Sequence, residues 1–167
     1  FYVFSGVLHH DELDDIKQDL EQMKKRFPVG PGEALAADGS PGLGVDCDVT
    51  TLVWSKPLSD PLGGSALANG RHQVKLYEPE AAEGAPEAAP FILLGSLQFS
   101  ETCLRVYGHP QLLSVAQAVN GKDFAPFNES LFIKEPGIGA AVSWHQDGTT
   151  HWDSDDFDDG IHGFNFM

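Results

Sequence analysis

What is scarce in this sequence excludes several classes of protein before any motif is read. Two cysteines, Cys47 and Cys103, stand far apart in 167 residues without a metal-ligand spacing. Neither a disulfide framework nor a cysteine-built zinc centre is expected, and both thiols read as reduced. No apolar run approaches the roughly 20 residues that span a bilayer, and the basic, apolar, small-residue order of a secretory signal is missing. The expectation is a cytoplasmic protein with no membrane partner. Positive charge is scarcer still. Ten Lys and Arg face 25 Asp and Glu, a formal net charge of −15, which argues against a nucleic-acid partner because phosphate backbones are gripped by clustered cations.

The shortage of cations is uneven. After Lys134 there is no Lys or Arg at all, while Glu135, Asp147, Asp153, Asp155, Asp156, Asp158 and Asp159 follow. Such a region suits a bound cation better than an anion, although a solvated acidic loop accounts for the aspartates between 153 and 159. An EF-hand loop is excluded, since Phe157 stands where the third oxygen ligand belongs.

What is present suffices for one globular domain, with 41% hydrophobic residues and enough length to bury a core. From Asp11 onward Leu13, Ile16, Leu20, Met23 and Phe27 recur at helical spacing. Acidic residues lead and Lys24, Lys25 and Arg26 trail, in accord with the helix dipole, and Pro28 predicts the end. Pro28 to Gly70 is rich in Gly, Pro, Ala, Ser and Asp and reads as loop, with a short strand around Thr50 to Trp54. A loop of that length is either a lid or disordered. Ala81 to Pro90 reads as a surface loop. Phe91 to Val119 reads as helical with a break at Gly108, Pro110 taking a first helical position and Gly121 the stop. A strand is expected over Asn128 to Lys134, placing Asn128, Ser130, Phe132 and Lys134 on one face and Glu129, Leu131 and Ile133 on the other. Phe1 to Phe4 and Ile161 to Met167 both read as strands. The second stops without a turn or a pairing partner, which predicts a part of a longer protein.

The stretch from Phe127 to Asp147, FNESLFIKEPGIGAAVSWHQD, carries the chemistry. It ends with His145 and Asp147 two residues apart, so in an extended strand both project to one side with Cα atoms roughly 6 to 7 Å apart. The bare His-x-Asp pattern is weak, because about 0.6 matches arise by chance at this composition, and the sequence holds three. His9-His10-Asp11 falls at a helix start and reads as capping, and His151-Trp152-Asp153 opens an acidic turn. Only His145-Gln146-Asp147 follows an alternating run, Ala141 to Trp144, after a Pro136-Gly137 turn signal.

The opening FYVFSGVLHHDELDDIKQDL, the segment NESLFIKEPG, and above all WHQDGTTHW with its acidic loop and DGIHGFNFM resemble the phytanoyl-CoA dioxygenase family of iron(II)- and 2-oxoglutarate-dependent oxygenases. The resemblance implies a double-stranded β-helix, a jelly-roll with outer helices, in α+β or mainly β form and truncated at its C-terminal side. Residues 1–27 would hold the first strand and helix, 28–90 a loop-rich insert, 91–122 helices and 123–167 the start of the metal-binding barrel. It implies hydroxylation of an aliphatic C–H in a small-molecule or acyl-CoA-like substrate, with Fe(II), 2-oxoglutarate and O2 as cofactor and cosubstrates. His145 and Asp147 would supply two of the three protein ligands of a facial triad, which leaves positions open for 2-oxoglutarate and O2. Retention of the carboxylate points to hydroxylation, since halogenating relatives lack it. The family's third ligand, a downstream histidine, and the arginine that holds the far carboxylate of 2-oxoglutarate have no counterpart here; His162 lies too early to be that ligand.

Other roles follow less directly. Asn128 and Lys134 share a strand face and are candidates to touch 2-oxoglutarate, with a surface lysine as the plainer reading of Lys134. His151 and Phe164 match positions that border substrate or cosubstrate in the family, while Trp144 and Gln146 read as structural. Two readings compete with the oxygenase. One is a non-catalytic barrel or inactive fragment that binds in the same pocket. The other is a local zinc site from His145, Asp147, His151 and Asp153, an unusual ligand set.

Overall fold

The structure, a computed structural model, describes residues 2–47, 51–60, 80–126, 128–142 and 165–167. Its chain divides into two compact units, one of Phe1–Thr51, Leu94–Ser130 and Asn165–Met167, the other of Leu52–Leu93 and Leu131–Phe164.

The first unit is built on helix α1, His10–Lys25. His9 is its N-cap, and the His9 backbone N–H donates to the Glu12 carboxylate at 2.8 Å, satisfying one of the free amides of the first turn. The His9-His10-Asp11 match is thus a helix cap. Along the apolar stripe burial deepens toward the C-terminus, from Leu13 at 37% exposure to Met23 at 3%. The helix stops at Lys25, before Pro28, with Arg26 and Phe27 N–H groups turning back onto the carbonyls of Met23 and Lys24. The Gly- and Pro-rich residues that follow fold back on themselves through the bridges Pro28 to Ala36 and Leu35 to Pro41. They bury Ala36 and Leu43, and the Leu43 N–H donates to the Arg26 carbonyl. Residues 28–47 are therefore a hydrogen-bonded loop; the part of the expected lid or disordered segment beyond residue 60 lies outside the described residues until Glu80.

Two further helices belong to this unit. Helix α2, Glu101–Tyr107, is capped by Ser100, whose hydroxyl oxygen accepts from the Cys103 N–H at 2.9 Å. Helix α3, Pro110–Asn120, has Pro110 in its first turn and ends at Gly121, as the sequence predicts. Helices α1 and α2 meet through the Ser100 hydroxyl, which donates to Asp19 at 2.6 Å, and through Arg105 against Asp15 at 3.5 Å.

The second unit is a sheet in the order β1-β2-β3. Strand β1, Leu52–Ser55, lies antiparallel to β2, Ala89–Leu94, pairing Leu52 with Leu93 and Val53 with Ile92 before a register slip brings Trp54 opposite Pro90. Strand β3 is Ser130–Phe132. Phe91, fully buried, meets the Phe132 ring edge-on at a centroid distance of 5.5 Å, and the Ile133 N–H donates to the Phe91 carbonyl at 2.8 Å.

Several expectations are corrected. Residues 91–94 are strand, not helix, and the helical stretch begins only at Glu101 after a single 3-10 turn, Ser96–Gln98. The run Phe91-Ile92-Leu93-Leu94 is apolar on both faces, with the consecutive residues Phe91, Ile92 and Leu93 all buried, so its periodicity does not separate strand from helix. Ala89 and Pro90 belong to the same strand instead of a surface loop. Tyr2 to Phe4 form no strand and are exposed. The strand expected over 128–134 is shorter; of the strand expected over Ile161 to Met167 residues 161–164 lie outside the described residues, and 165–167 are exposed and irregular.

Candidate functional site

The side chains that sequence reasoning assigned to the site divide between described and undescribed residues. His145, Asp147, His151 and Phe164 lie outside the described residues, as does the acidic loop with Asp153. Asn128 stands exposed just before β3 and Lys134 exposed just after it. The described structure therefore brings no two of these candidates together.

It does describe the residues that lead toward His145 and Asp147 in sequence. The Pro136-Gly137 turn is present, with Gly137 at a φ of +78° and the Gly139 N–H closing onto the Glu135 carbonyl at 2.7 Å. A Cβ on Gly139 would lie 2.8 Å from the Cα of Lys134 and 3.0 Å from the backbone N and O of Glu135, so only glycine permits this closeness. The chain leaves the turn through Ala140, which is 1% exposed, and Ala141, whose N–H donates to the Ser59 carbonyl at 2.8 Å. One more hydrogen bond, from the Leu58 N–H to the Ile138 carbonyl at 3.1 Å, ties the same two segments. Val142 is the last described residue before His145.

Alternation along residues 128–134 holds except at Ser130. Asn128, Phe132 and Lys134 are exposed, while Glu129, Leu131 and Ile133, and with them Ser130, are partly buried. The polar group that the fold uses is on the second face. One Glu129 carboxylate oxygen accepts from the Ser96 hydroxyl at 2.6 Å, and the other lies 3.5 Å from the Leu97 N–H. Burial pushes the Tyr107 hydroxyl above the usual phenol range, and the negative charge of Glu129 adds to the rise. Sequence reasoning passed over Glu129. Its signal was there, because a carboxylate sharing a strand face with Leu131 and Ile133 needs a hydrogen-bond partner.

Among the described residues no group of three His, Cys, Asp or Glu side chains is placed to hold a metal ion. Cys47 and Cys103 are free thiols. The donor set His145 and Asp147 fits two positions of an iron(II) facial triad, by the preference of that ion for imidazole and carboxylate. Among the described residues no helix is long and apolar enough to cross a membrane. No family model, curated protein or solved structure matches this chain.

Proposed function

We propose that this chain is part of an iron(II)- and 2-oxoglutarate-dependent dioxygenase of double-stranded β-helix architecture that hydroxylates an aliphatic C–H of a small-molecule or acyl-CoA-like substrate. The observation that carries the reading is the block Trp144-His145-Gln146-Asp147-Gly148-Thr149-Thr150-His151-Trp152, set after a glycine turn in a region without a single Lys or Arg. His145 and Asp147 hold the iron, and the third ligand comes from a residue outside the stretch that carries the resemblance. Bound iron supplies O2 activation, one oxygen atom going to the substrate C–H and the other to succinate as 2-oxoglutarate loses CO2.

The chain's own residues bind and orient. His145 ligates through a neutral imidazole nitrogen and Asp147 through its carboxylate, so protons compete with the metal and binding weakens as pH falls. Asp147 would take a ligand position that halogenating relatives leave to the halide, so its presence points to hydroxylation. Asn128 and Lys134 offer an amide and an ammonium to the cosubstrate, and His151 and Phe164 border substrate or cosubstrate. The acidic C-terminal region favours the cation and disfavours polyanionic partners, in keeping with a cytoplasmic enzyme of small molecules.

Turnover of 2-oxoglutarate by the full-length protein with Fe(II) tests the reading. Succinate should form with iron present and not without it, and Asp147→Ala should lose activity by at least about a hundredfold, as expected for a lost metal ligand. Undiminished succinate formation by that variant sinks the assignment and leaves the non-catalytic barrel.

A further inference from the structure

Helix α3 is free of charge in a strongly acidic chain. Pro110–Asn120 contains no Asp, Glu, Lys or Arg, and it ends on Asn120 followed by Gly121, both exposed. Among the described residues Asn120 is the single asparagine that precedes a glycine. That pairing is the one most open to ring closure, because the second residue has no side chain to obstruct the approach of its backbone nitrogen to the carboxamide carbon of the first. Gly121 has a φ of +82° and a ψ of −171°, and no atom lies within 4 Å of where a Cβ would stand. One bond restrains the nitrogen. The Gly121 N–H donates to the Gln117 carbonyl at 2.9 Å, the last hydrogen bond of the helix, and a terminal turn opens more readily than the body of a helix.

The chemistry open to this pair needs only water and hydroxide. The Gly121 nitrogen gives its proton to hydroxide and attacks Asn120 Cγ, so that the N–Cγ bond forms and the Cγ–Nδ2 bond breaks. Nδ2 takes a proton from water and leaves as ammonia. Water then adds to one of the two carbonyls of the resulting five-membered succinimide and opens the ring. Opening on one side leaves aspartate, and opening on the other leaves isoaspartate, with the main chain running through Cβ. Nothing is oxidised or reduced.

We propose that Asn120-Gly121 is a deamidation site gated by the end of α3, closed while the Gly121 N–H is bonded to Gln117 and reactive when that turn opens. The proposal is independent of the dioxygenase reading. Either product places a carboxylate in the last turn of a helix that otherwise has no charged residue, at the end where the macrodipole is negative. Isoaspartate also lengthens the main chain by one atom, which takes the Gly121 N–H out of helical register with Gln117. Modification thus holds open the turn whose opening allowed it.

The test is incubation of the whole chain at mildly alkaline pH, with and without urea, followed by tryptic digestion and mass analysis. The peptide Val106–Lys122 carries Asn120 and no other asparagine, so an amide-to-acid mass gain in it reads this site apart from Asn69-Gly70. The gain should appear in the folded chain as both aspartate and isoaspartate, and urea should speed it about tenfold, as for a terminal turn open about a tenth of the time. Asn120→Gln, which would need a larger ring, should leave the peptide unmodified. Asn120→Asp supplies the charge without the ring step, and its amides from Val119 to Gly121 should exchange about two- to fivefold faster than those of Asn120→Gln. No modification in the folded chain, or equal rates with and without urea, overturns the proposal. Equal exchange in the two variants overturns the effect on the helix.

Discussion

Ser100 shows how much one hydroxyl carries. It is 4% exposed, donates to the Asp19 carboxylate and accepts from the Cys103 N–H, so it caps α2 and joins α2 to α1 with the same oxygen. The Ser100 hydroxyl is the chief reason that Asp19 is held below the usual carboxylate range, with the cost of burial opposing it and Thr102 and Arg105 assisting. By contrast the Arg105 to Asp15 pair is 3.5 Å long and more than half exposed on both sides, and contributes little. Ser100→Ala should cost about 1 to 2 kcal/mol at neutral pH from the lost cap. A depressed folded-state pKa contributes stability above the ordinary Asp range that disappears as pH falls through the depressed value. The difference between parent and variant should therefore be larger at pH 7 than at pH 3, as measured by urea unfolding at the two values; equal differences would detach Asp19 from the effect. The helix expected from Phe91 runs straight through Ser100, so the cap was missed in the sequence. That its hydroxyl also reaches Asp19, 81 residues away, has no local pattern to encode it.

Among the elements, legibility follows how far each is decided by its own residues. Helix α1 is, with its acidic start, basic end and apolar stripe all within one stretch, and so is α3, bounded by Pro110 and Gly121. Strand β2 is not. Its apolar run is compatible with a buried helix until β1 and β3 pair on either side of it, and that pairing is tertiary. Strand β3 is intermediate: the alternation is local, but the partner of Glu129 sits in the 3-10 turn after β2. Glu129→Ala would leave the Ser96 hydroxyl, 2% exposed, without its acceptor, and should lower stability by about 1 to 3 kcal/mol. Glu129→Gln keeps an acceptor and removes the charge. It should cost less and let the Tyr107 hydroxyl ionise at lower pH, which ultraviolet titration reads as a downward shift of one tyrosine. An unmoved tyrosine titration in Glu129→Gln would show that burial alone raises Tyr107.

At the scale of the whole molecule the distribution of charge is what bears on function. Every Lys and Arg precedes residue 135, and of the seven carboxylates that follow one is Asp147 of the His145–Asp147 pair and six flank that pair in sequence. The stretch that leads toward the pair in sequence is described down to Val142, and its turn, its required glycine and its two hydrogen bonds to residues 58 and 59 were legible only as the Pro136-Gly137 signal. Leu58 gave no sign, since a leucine at a left-handed position contradicts local preference. The pair and its resemblance come from sequence, and the barrel that would complete the site is a proposal. Equilibrium dialysis of the full-length protein against Fe(II) without oxygen, with and without 2-oxoglutarate, tests the central claim most directly. One iron per chain, held more tightly when 2-oxoglutarate is present and lost in both His145→Ala and Asp147→Ala, is the predicted result. Iron retained equally by the parent and both variants, or by none of them, would contradict it.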